Sequence, residues 1–306
     1  MLLASKTGVK KLNSFKQEVH KHFQEGKHSP TYEMYVNYAL NTNKRGEVIA
    51  DLISKYIKLK GKSFLDVGTA YGGYLVAFAK RGCFPYKGVD IDKDFIRLGK
   101  LNLKENKLNP DAIMHVDISC FLPDFLREKK FDIITCADVI EHVYDVKKTI
   151  GNIKSLMEDK GYLLLEIPNR YNIYNVISDP HFSLFGITLL DRSEAVKYFT
   201  SLRPGSYEVN EFYELNYYLS FFEKEIYKIN KIWNENIDFT KFDRAFQTEI
   251  EMAYTSKIDS LAISIELKNA LKEKLDEYIS KYKIQIVKRN IDYFYIQTWR
   301  MLICKL

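Results

Sequence analysis

A short apolar run that ends in a glycine-rich turn constrains the fold of this chain more than any other feature. The run Ser63–Val67 carries β-branched and aromatic residues and is bounded by glycine, which is typical of a strand buried on both faces. The next stretch, Tyr71–Arg81, has apolar residues at helical spacing and basic residues at its end, where they oppose the helix dipole. A strand, a glycine turn and a helix in this order predict the opening unit of a parallel α/β sheet.

Three nucleotide-binding patterns compete for this turn, because its backbone N–H groups and the positive end of the helix favour such a ligand. A P-loop requires Gly-x-x-x-x-Gly-Lys-Ser. Gly61–Ser63 supplies only the tail of that motif, placed before the strand, so the P-loop is rejected. A dinucleotide fingerprint, Gly-x-Gly-x-x-Gly, matches Gly68, Ala70 and Gly73 with one substitution.

The third pattern is formed by Asp66, Gly68, Ala70 and Gly72. It resembles motif I of the class I S-adenosylmethionine-dependent methyltransferases, again with alanine at a usual glycine. The substitution weakens the dinucleotide pattern more, because there the second glycine lets the backbone reach a pyrophosphate that the methyl donor lacks. The resemblance implies that Asp66 organises the loop around the amino-acid end of the donor. It also implies a turn bordering S-adenosylmethionine and made of Gly68, Thr69, Ala70 and Gly72.

The composition is that of an ordinary globular protein, with 46% apolar and 28% charged residues among 306. The formal charge of +6 is better explained by a solvated surface than by a nucleic-acid footprint, because net charge speaks to non-specific association and not to a site. No run approaches the ~20 apolar residues of a membrane span, and the start lacks a signal-peptide core. The cysteines lack a Cys-x-x-Cys pair, which predicts reduced thiols in a cytoplasmic protein; they are Cys83, Cys120, Cys136 and Cys304.

From residue 63 onward, strand and helix patterns alternate in the manner of a doubly wound sheet. The predicted fold class is α/β, with a mostly parallel seven-stranded sheet of the Rossmann-like methyltransferase type and helical caps near both ends of the chain. Four segments are expected: a helical N-terminal cap at 1–60, the donor-binding core at 61–235, a helical insertion or cap at 236–290, and the final core strand at 291–306.

The elements after the first helix are predicted from periodicity and breakers. Strands are expected at Tyr86–Asp90, Ala112–Val116, Phe131–Cys136 and Gly161–Ile167, with a sixth inside Ser206–Trp233 and the last near Trp299–Lys305. Helices are expected at Lys93–Leu103, Val146–Met157, Asp191–Phe199 and across Lys241–Lys283. One apolar stripe in the last helix is interpreted as core packing rather than a cofactor or membrane face; it comprises Leu267, Leu271, Leu275 and Ile279.

The first sixty residues carry two amphipathic patterns that predict helices. The second pattern has an apolar face made of Val48, Ile49, Leu52, Ile53 and Ile57. Arg45 precedes that face, and two roles for it stay open: contact with the carboxylate of the donor, or a surface arginine.

A second strand that ends in an acid supports the same donor. Asp90 lies ~20 residues past the glycine turn, the distance at which a carboxylate meets ribose hydroxyls in such folds. The alternative role of Asp90 is the N-cap of the next helix, although Asp92 is the better N-cap. Ile91, beside Asp90, is included in the predicted donor site. The resemblance also implies that Asp117 and Ile118 hold the adenine, the acid accepting from its exocyclic amine and the apolar side chain packing on its ring.

The segment Cys136–Val143 should border the reacting group, because ligands sit at the carboxyl ends of strands in open α/β sheets. Its first residues after the strand, Ala137 and Asp138, are predicted to contact the donor. Together with the earlier motifs, the segment resembles the group that includes ubiquinone-type and sugar O-methyltransferases. The resemblance covers Ser63–Phe199.

A hydroxyl acceptor is a poor nucleophile until a base or a metal draws off its proton. We predict His142 as this base, with Glu141 and His181 as further catalytic residues; the alternative for His142 is a hydrogen-bonded structural histidine. A metal-dependent variant, which is not favoured, uses Asp138, Glu141, His142 and His181. Asp and Glu at i and i+3 beside a histidine converge on one divalent ion if the segment is helical. This set resembles the metal cluster of small-RNA terminal 2′-O-methyltransferases, which carry a glutamate in place of Asp138.

Several methylation chemistries are disfavoured. Amino methylation of DNA bases typically uses an Asn/Asp-Pro-Pro-aromatic sequence that is missing here, and Cys136 lacks the Pro-Cys context needed for attack on a cytosine carbon. We therefore predict O-methylation of a small or carrier-linked metabolite such as a sugar or a quinone precursor. The rivals are an RNA 2′-O-methyltransferase, a donor-binding module without catalysis, and a nicotinamide oxidoreductase. The acceptor and the oligomeric state stay open.

Overall fold

The computed structural model describes residues 14–24, 27, 32–232, 238–288 and 292–306. Within them the strands are β1 Phe64–Val67, β2 Tyr86–Asp90, β3 Ile113–His115, β4 Phe131–Ala137, β5 Met157–Pro168, β6 Tyr227–Lys231 and β7 Thr298–Lys305. They form one sheet in the order β3-β2-β1-β4-β5-β7-β6. The pairs β1–β2, β2–β3 and β4–β5 are parallel, and β7 is antiparallel to β5 and β6. The predicted α/β fold class is confirmed.

Most strands lie where the sequence predicts them. Strand β2 matches in full, and the sixth strand lies within the predicted region, whose end at Trp233 falls outside the described residues. The prediction that β5 begins at Gly161 is wrong. The strand begins at Met157, which pairs with Phe131 of β4, and the register between the two strands shifts before Ile133. The residues from Met157 to Lys160 therefore also belong to the strand, and Gly161 does not mark its start.

The chain divides into two compact units, Met1–Val116 and Asp117–Leu306. The four-segment division by function, into caps, donor-binding core and final strand, stays a prediction. Parts of the predicted N-terminal cap, at 1–13, 25–26 and 28–31, lie outside the described residues.

The first unit contains helices α1 Phe15–His22, α2 Tyr32–Leu40, α3 Thr42–Ser54, α4 Gly73–Lys80 and α5 Lys93–Glu105. Helix α1 begins at a capping box, because the Ser14 side chain accepts from the Gln17 N–H and the Gln17 side chain accepts from the Ser14 N–H. The buried face of α1, formed by Phe15 and Val19, belongs to the same hydrophobic cluster as Tyr71. Helix α1 is thus packed onto Tyr71, a residue of the glycine turn.

Helix α3 buries a narrower face than its sequence pattern predicts. Ile49 and Ile53 are buried, and Leu52 and Ile57 are half-buried. Val48 is 59% exposed, so its predicted place on the apolar face is wrong. Successive residues lie about 100° apart around a helix. The buried face is centred on Ile49 and Ile53, so the neighbouring Val48 lies at its edge and is exposed to solvent.

Helices α3 and α4 approach each other at two glycines. A Cβ on Gly46 would lie 2.3 Å from the Gly73 carbonyl oxygen, and a Cβ on Gly73 would lie 2.3 Å from the Thr42 carbonyl oxygen. Neither position has room for a side chain, so both require glycine. The helix that follows the glycine turn is therefore held at its first residue by α3.

The second unit contains helices α6 Asp124–Arg127, α7 Val146–Leu156, α8 Ile173–Ile177, α9 Arg192–Leu202, α10 Leu215–Leu219, α11 Phe239–Ala245, α12 Tyr254–Ser260, α13 Ile265–Val287 and α14 Asp292–Tyr295. A π-helical turn at Phe246–Glu251 follows α11. The region Lys241–Lys283 is therefore largely helical, as predicted, but its first half is divided into short pieces.

The apolar stripe of α13 is core, as predicted. Leu267, Leu271 and Leu275 are buried, and Ile279 packs half-buried against the same hydrophobic cluster. That cluster also includes Phe246 of the π-helical turn, whose ring stacks on Tyr282 at a centroid distance of 3.6 Å. Among the described residues, no helix combines the length and apolar character that crossing a membrane requires.

Candidate active site

The turn after β1 adopts left-handed backbone conformations at three alternate residues. The φ angles are 71° at Gly68, 43° at Ala70 and 72° at Gly72. Glycine takes such angles without strain, whereas an L-residue pays roughly 1–2 kcal/mol. The N–H groups of Gly68 and Thr69 both donate to the Val89 carbonyl oxygen, at 2.8 and 3.0 Å, which ties the turn to β2.

Asp66, the acid before this turn, is buried with 4% of its surface exposed. Its Oδ2 accepts a hydrogen bond of 2.8 Å from the hydroxyl of Thr69. The carboxylate therefore braces the turn from within. Its predicted role around the amino-acid end of the donor stays a prediction.

Asp90 at the end of β2 is bonded to the same turn. Its Oδ2 accepts from the Ala70 N–H at 2.7 Å, and its Oδ1 accepts from the Asp92 N–H at 2.9 Å. Burial raises the pKa of Asp90, and backbone hydrogen bonds from Asp92, Ala70 and Ile91 oppose that rise. Asp92 is the N-cap of α5, since it accepts from the N–H groups of Asp94 and Phe95. The alternative N-cap role of Asp90 is therefore excluded, and its carboxylate keeps acceptor capacity for a ligand.

Two other predicted donor-side residues of the first unit have different surroundings. Ile91 is 62% exposed beside Asp90, so the end of β2 offers an apolar surface next to a carboxylate. Arg45 donates to the Tyr38 carbonyl oxygen, and its guanidinium carbon lies 3.5 Å from the centroid of the Tyr38 ring. These contacts occupy Arg45 within the cap, and its contact with a donor carboxylate stays a prediction.

The predicted adenine-side pair opens the second unit. Asp117 accepts from the N–H and hydroxyl of Ser119, at 2.8 and 2.6 Å, and from the Cys120 thiol at 3.1 Å. Burial alone would raise the pKa of Asp117, but the hydrogen bonds from Ser119 and Cys120 outweigh it and lower the pKa. Ile118 is 6% exposed, and its carbonyl accepts from the Asn152 amide. The contacts of this pair with adenine stay a prediction.

The loop after β4 carries one buried carboxyl group. Ala137 ends the strand, and the exposed Asp138 takes a left-handed φ of 54°. Glu141 is fully buried, and neither of its carboxylate oxygens has a hydrogen-bond partner among the described residues. Burial, reinforced by the negative charge of Asp138, raises the pKa of Glu141 well above its ordinary value.

Two imidazoles converge on this carboxyl group. Nε2 of His142 lies 3.9 Å from Glu141 Oε1, and Nε2 of His181 lies 3.7 Å from the same atom. The two rings meet edge to face with centroids 4.9 Å apart. Burial lowers the pKa of His142, and burial together with the charge of His142 lowers the pKa of His181 to about 3. Both imidazoles are therefore neutral at physiological pH.

Different local structures hold the two histidines. His142 Nδ1 lies 3.2 Å from the Glu208 carbonyl oxygen, and because a carbonyl can only accept, Nδ1 carries the proton. Nε2 is then the basic nitrogen. His181 follows the buried Asp179, whose Oδ1 accepts from the N–H groups of His181 and Phe182 at 2.9 Å each. This side-chain turn fixes the backbone at His181.

The segment Tyr207–Phe212, which no sequence pattern assigned to the site, supplies the carbonyl bonded to His142. Asn210 in this segment donates its backbone N–H to the Glu141 carbonyl oxygen at 2.6 Å. Its side-chain amide donates to the carbonyls of Val143 and Tyr144, at 2.9 and 3.2 Å. The segment has no helical or strand periodicity, and it lies more than sixty positions after the Glu141–His142 loop in the chain. Its contact with the loop is therefore not indicated by any local pattern in the sequence.

Three of the four predicted metal ligands come together. One ligand atom each from Glu141, His142 and His181 lies within 4.8 Å of the others, whereas Asp138 is not part of the group. The condition set for all four ligands, a helical segment, is not met, because residues 138–145 between β4 and α7 form neither helix nor strand. Two imidazoles and one carboxylate are a ligand set that zinc or iron accepts, but ligands about 2.1 Å from a common ion lie about 3–4 Å apart, so these atoms, separated by up to 4.8 Å, would have to draw together to hold one.

Strand order, glycine turn and acidic strand end are those of a class I S-adenosylmethionine-dependent methyltransferase. Residues 42–214, more than half of the chain, match the family model described as a methyltransferase domain. The chain belongs to this methyltransferase family.

Known proteins resemble parts of the chain. A ubiquinone biosynthesis O-methyltransferase of Coxiella burnetii is 36% identical over 118 residues, which cover 39% of this chain and 48% of the relative. A ribosomal protein L11 methyltransferase of Desulforapulum autotrophicum is 27% identical over 126 residues, covering 35% and 41%. The matched region thus spans about half the length of these curated relatives. A solved structure of an S-adenosylmethionine-dependent methyltransferase from Archaeoglobus fulgidus has a TM-score of 0.46 at 18% identity, covering 85% of this chain and 94% of that one.

Proposed function

We propose that this protein transfers a methyl group from S-adenosylmethionine to a hydroxyl oxygen of a small or carrier-linked metabolite. The observation that carries the proposal is the pairing of a left-handed glycine turn with Asp90, whose Oδ2 accepts from the turn at Ala70. The family assignment and the O-methyltransferase relative support the reaction class. The relatives carry names with different acceptors, a quinone and a ribosomal protein, so they support no single acceptor.

The residues of the first unit suit the donor. S-adenosylmethionine would supply a methyl group on a sulfonium centre, an adenosine and an amino-acid end. Asp90 keeps lone pairs for ribose hydroxyls, and the exposed Ile91 beside it offers an apolar surface for the adenine. The turn at Gly68 and Gly72 lets the backbone approach without a Cβ in the way.

The second unit supplies a group that can take the proton of the acceptor. His142 is neutral because burial lowers its pKa, and its Nδ1 proton is held by the Glu208 carbonyl, so Nε2 presents a lone pair. A hydroxyl proton that moves to this nitrogen leaves the oxygen more nucleophilic. The partly exposed ring gives an acceptor access, whereas Glu141 behind it is fully buried.

Titration calorimetry with S-adenosylhomocysteine tests the donor assignment. We expect the wild type to bind and Gly68→Arg to lose binding, because the new side chain would occupy the turn. Gly151→Arg is the matched control, since Gly151 lies exposed in α7 and a Cβ added there would meet no atom within 4 Å. Failure of the wild type to bind, or equal binding by Gly68→Arg, contradicts the assignment.

Incubation of the protein with methyl-deuterated donor and a metabolite extract, read by mass spectrometry, tests the transfer. His142→Gln is expected to lower the rate by about 10²–10⁴-fold, the usual contribution of a general base, while donor binding persists. His20→Gln, on the exposed side of α1, is the control. An unchanged rate in His142→Gln argues against the base role.

A metal-assisted transfer to RNA 2′-hydroxyls is the second candidate, and the convergence of Glu141, His142 and His181 favours it. The bound ion would act as a Lewis acid, and Glu141 Oε1 with the two Nε2 atoms would hold it. Transfer to a short RNA that chelator abolishes and a divalent cation restores would promote this candidate. Chelator-resistant transfer to a metabolite would exclude it. The cytoplasmic location is likewise a proposal, based on scattered cysteines that form no Cys-x-x-Cys pair in the sequence.

A further inference from the structure

A single asparagine connects the Glu141–His142 loop to a distant segment of the second unit. Asn210 is 9% exposed and uses three N–H groups toward this loop: its backbone N–H toward Glu141, and its side-chain amide toward Val143 and Tyr144. The loop belongs to no helix or strand, so these carbonyls have no ladder to join. Only a side chain with two donors on one nitrogen satisfies the last two from one position.

The bonds of Asn210 are coupled to the orientation of His142. The Glu208 carbonyl that receives the His142 Nδ1 proton lies two residues before Asn210. The loop and the segment are therefore joined at two points. The His142 imidazole bonds to the Glu208 carbonyl, and the Asn210 side-chain amide bonds to the carbonyls of Val143 and Tyr144.

Two arginines fix the segment from its other side. Arg192 Nη1 donates to the Val209 carbonyl oxygen at 2.7 Å, and Arg170 Nη1 donates to the Phe212 carbonyl oxygen at 2.6 Å. Arg170 also donates through Nη2 to the Leu189 carbonyl at 2.9 Å, which anchors it in the core of the unit. The arginines thus hold the segment through its backbone carbonyls, and the Asn210 side chain bonds the segment to the loop.

We propose that Asn210 is a positioning residue that keeps the Glu208 carbonyl against Nδ1 of His142, and so keeps the Nε2 lone pair directed to the acceptor side. The proposal deepens the base role of His142 and rests on it for its catalytic meaning. The structural part, one imidazole tautomer held by one amide, stands independently of any reaction.

Proton–nitrogen spectra of histidine-labelled protein test the structural part without donor or acceptor. At mildly alkaline pH, where imidazoles are neutral, the wild-type His142 should show the nitrogen shifts of the Nδ1–H tautomer alone. In Asn210→Ala we expect these shifts to move toward each other, as for a mixture of tautomers. Asn172→Ala is the matched control. Asn172 is a buried asparagine of the same unit, whose amide donates to the Phe294 carbonyl and whose Oδ1 accepts from Tyr174 and Asn175, so its hydrogen bonds differ from those of Asn210 to the loop after β4.

Thermal unfolding of both variants separates positioning from general damage. Both should lose stability, since each removes a buried amide bonded to backbone carbonyls, but only Asn210→Ala should change the His142 spectrum. If Asn210→Ala does not fold, Asn210→Ser, which retains one hydroxyl donor, is judged by the same spectrum. A single Nδ1–H tautomer in the folded Asn210 variant overturns the proposal.

The kinetic consequence is measured after an acceptor is known. Asn210→Ala should lower kcat by about tenfold while the KM for the donor stays unchanged, because the donor-binding turn is untouched. A loss of tautomer selectivity with no methyl transfer by the wild type would uphold the positioning role and reject the transferase assignment. If the wild type transfers methyl groups but the His142 tautomer stays the same in the Asn210 variant, the transferase assignment is upheld and the positioning role is rejected.

Discussion

Replacement of Glu141 by glutamine is expected to stabilise the metal-free protein at neutral pH. The wild-type carboxyl group is fully buried, receives no hydrogen bond from a described residue, and has neutral imidazoles as its nearest titratable neighbours. Its charged form is therefore disfavoured, which is why burial raises its pKa. Glutamine has the same shape without the charge, and its amide can donate to the Nε2 lone pair of His142.

The expected gain follows from the cost of a buried polar group without partners. That cost is about 1–3 kcal/mol and larger for a charge, so we expect about 2 kcal/mol in the free energy of unfolding. For a chain of 306 residues the gain corresponds to a rise in Tm of roughly 3 °C. Because the folded pKa of Glu141 is raised, its neutral form stabilises the wild type fully below pH 4.5, and this contribution is lost as the pH rises. The advantage of Glu141→Gln should therefore grow from acid to neutral pH.

Thermal unfolding in chelator at several pH values measures this gain. Glu166→Gln is the matched control, because Glu166 is also buried in the second unit but accepts a charge-assisted hydrogen bond from Arg300. Removing that charge should destabilise the protein, since a half-buried arginine then lacks its counter-ion. The two substitutions should thus have opposite signs.

A lower Tm for Glu141→Gln at neutral pH, or a gain that does not shrink in acid, would refute the reasoning. Added manganese or zinc provides a second arm. If the Glu141, His142 and His181 atoms bind the ion, it should raise the Tm of the wild type more than that of the variant, since a ligand stabilises only the state that binds it.

Three further predictions follow from the structure. Asp90→Asn should weaken S-adenosylhomocysteine binding by about tenfold in calorimetry, the effect of one hydrogen bond to a charged group; unchanged affinity would place the ribose elsewhere. Gly46→Ala should cost about 1–3 kcal/mol in denaturant unfolding, because its Cβ would overlap the carbonyl of α4, whereas Gly151→Ala, with open space around it, should gain about 0.5–1 kcal/mol. His181, with a pKa lowered to about 3, contributes stability above pH 6.5 that is lost as the pH falls toward 3, so His181→Gln should flatten that part of the stability profile.

The predictions that succeeded rest on short-range pattern. The strand, turn and helix around Gly68, the N-cap at Asp92 and the strand β2 depend on neighbours a few positions apart, so their residue types indicate them directly. The strand β5 was placed too late because its first residues pair across a register shift that no alternation of polar and apolar residues reports.

The sequence indicated which residues come together at the candidate site but not the contacts that hold them there. Glu141, His142 and His181 do converge, yet the segment that carries the first two is a loop and not a helix, and Asp138 falls outside the group. What holds His142 is the carbonyl of Glu208, more than sixty positions away. A contact between irregular backbone segments has no periodicity, so a single sequence does not reveal it.

The left-handed alanine in the donor turn bears on how this protein would tolerate change. A glycine at residue 70 would relax the backbone by about 1 kcal/mol but would also widen the range of shapes open to the denatured chain, and these effects nearly cancel. The free energy of unfolding would thus be nearly the same with alanine or glycine at residue 70. The range of conformations of the turn in the folded state would be wider with glycine. The methyl group of Ala70 therefore restricts the conformations of the turn, and it narrows the range of directions in which the Ala70 N–H can point toward the Asp90 carboxylate.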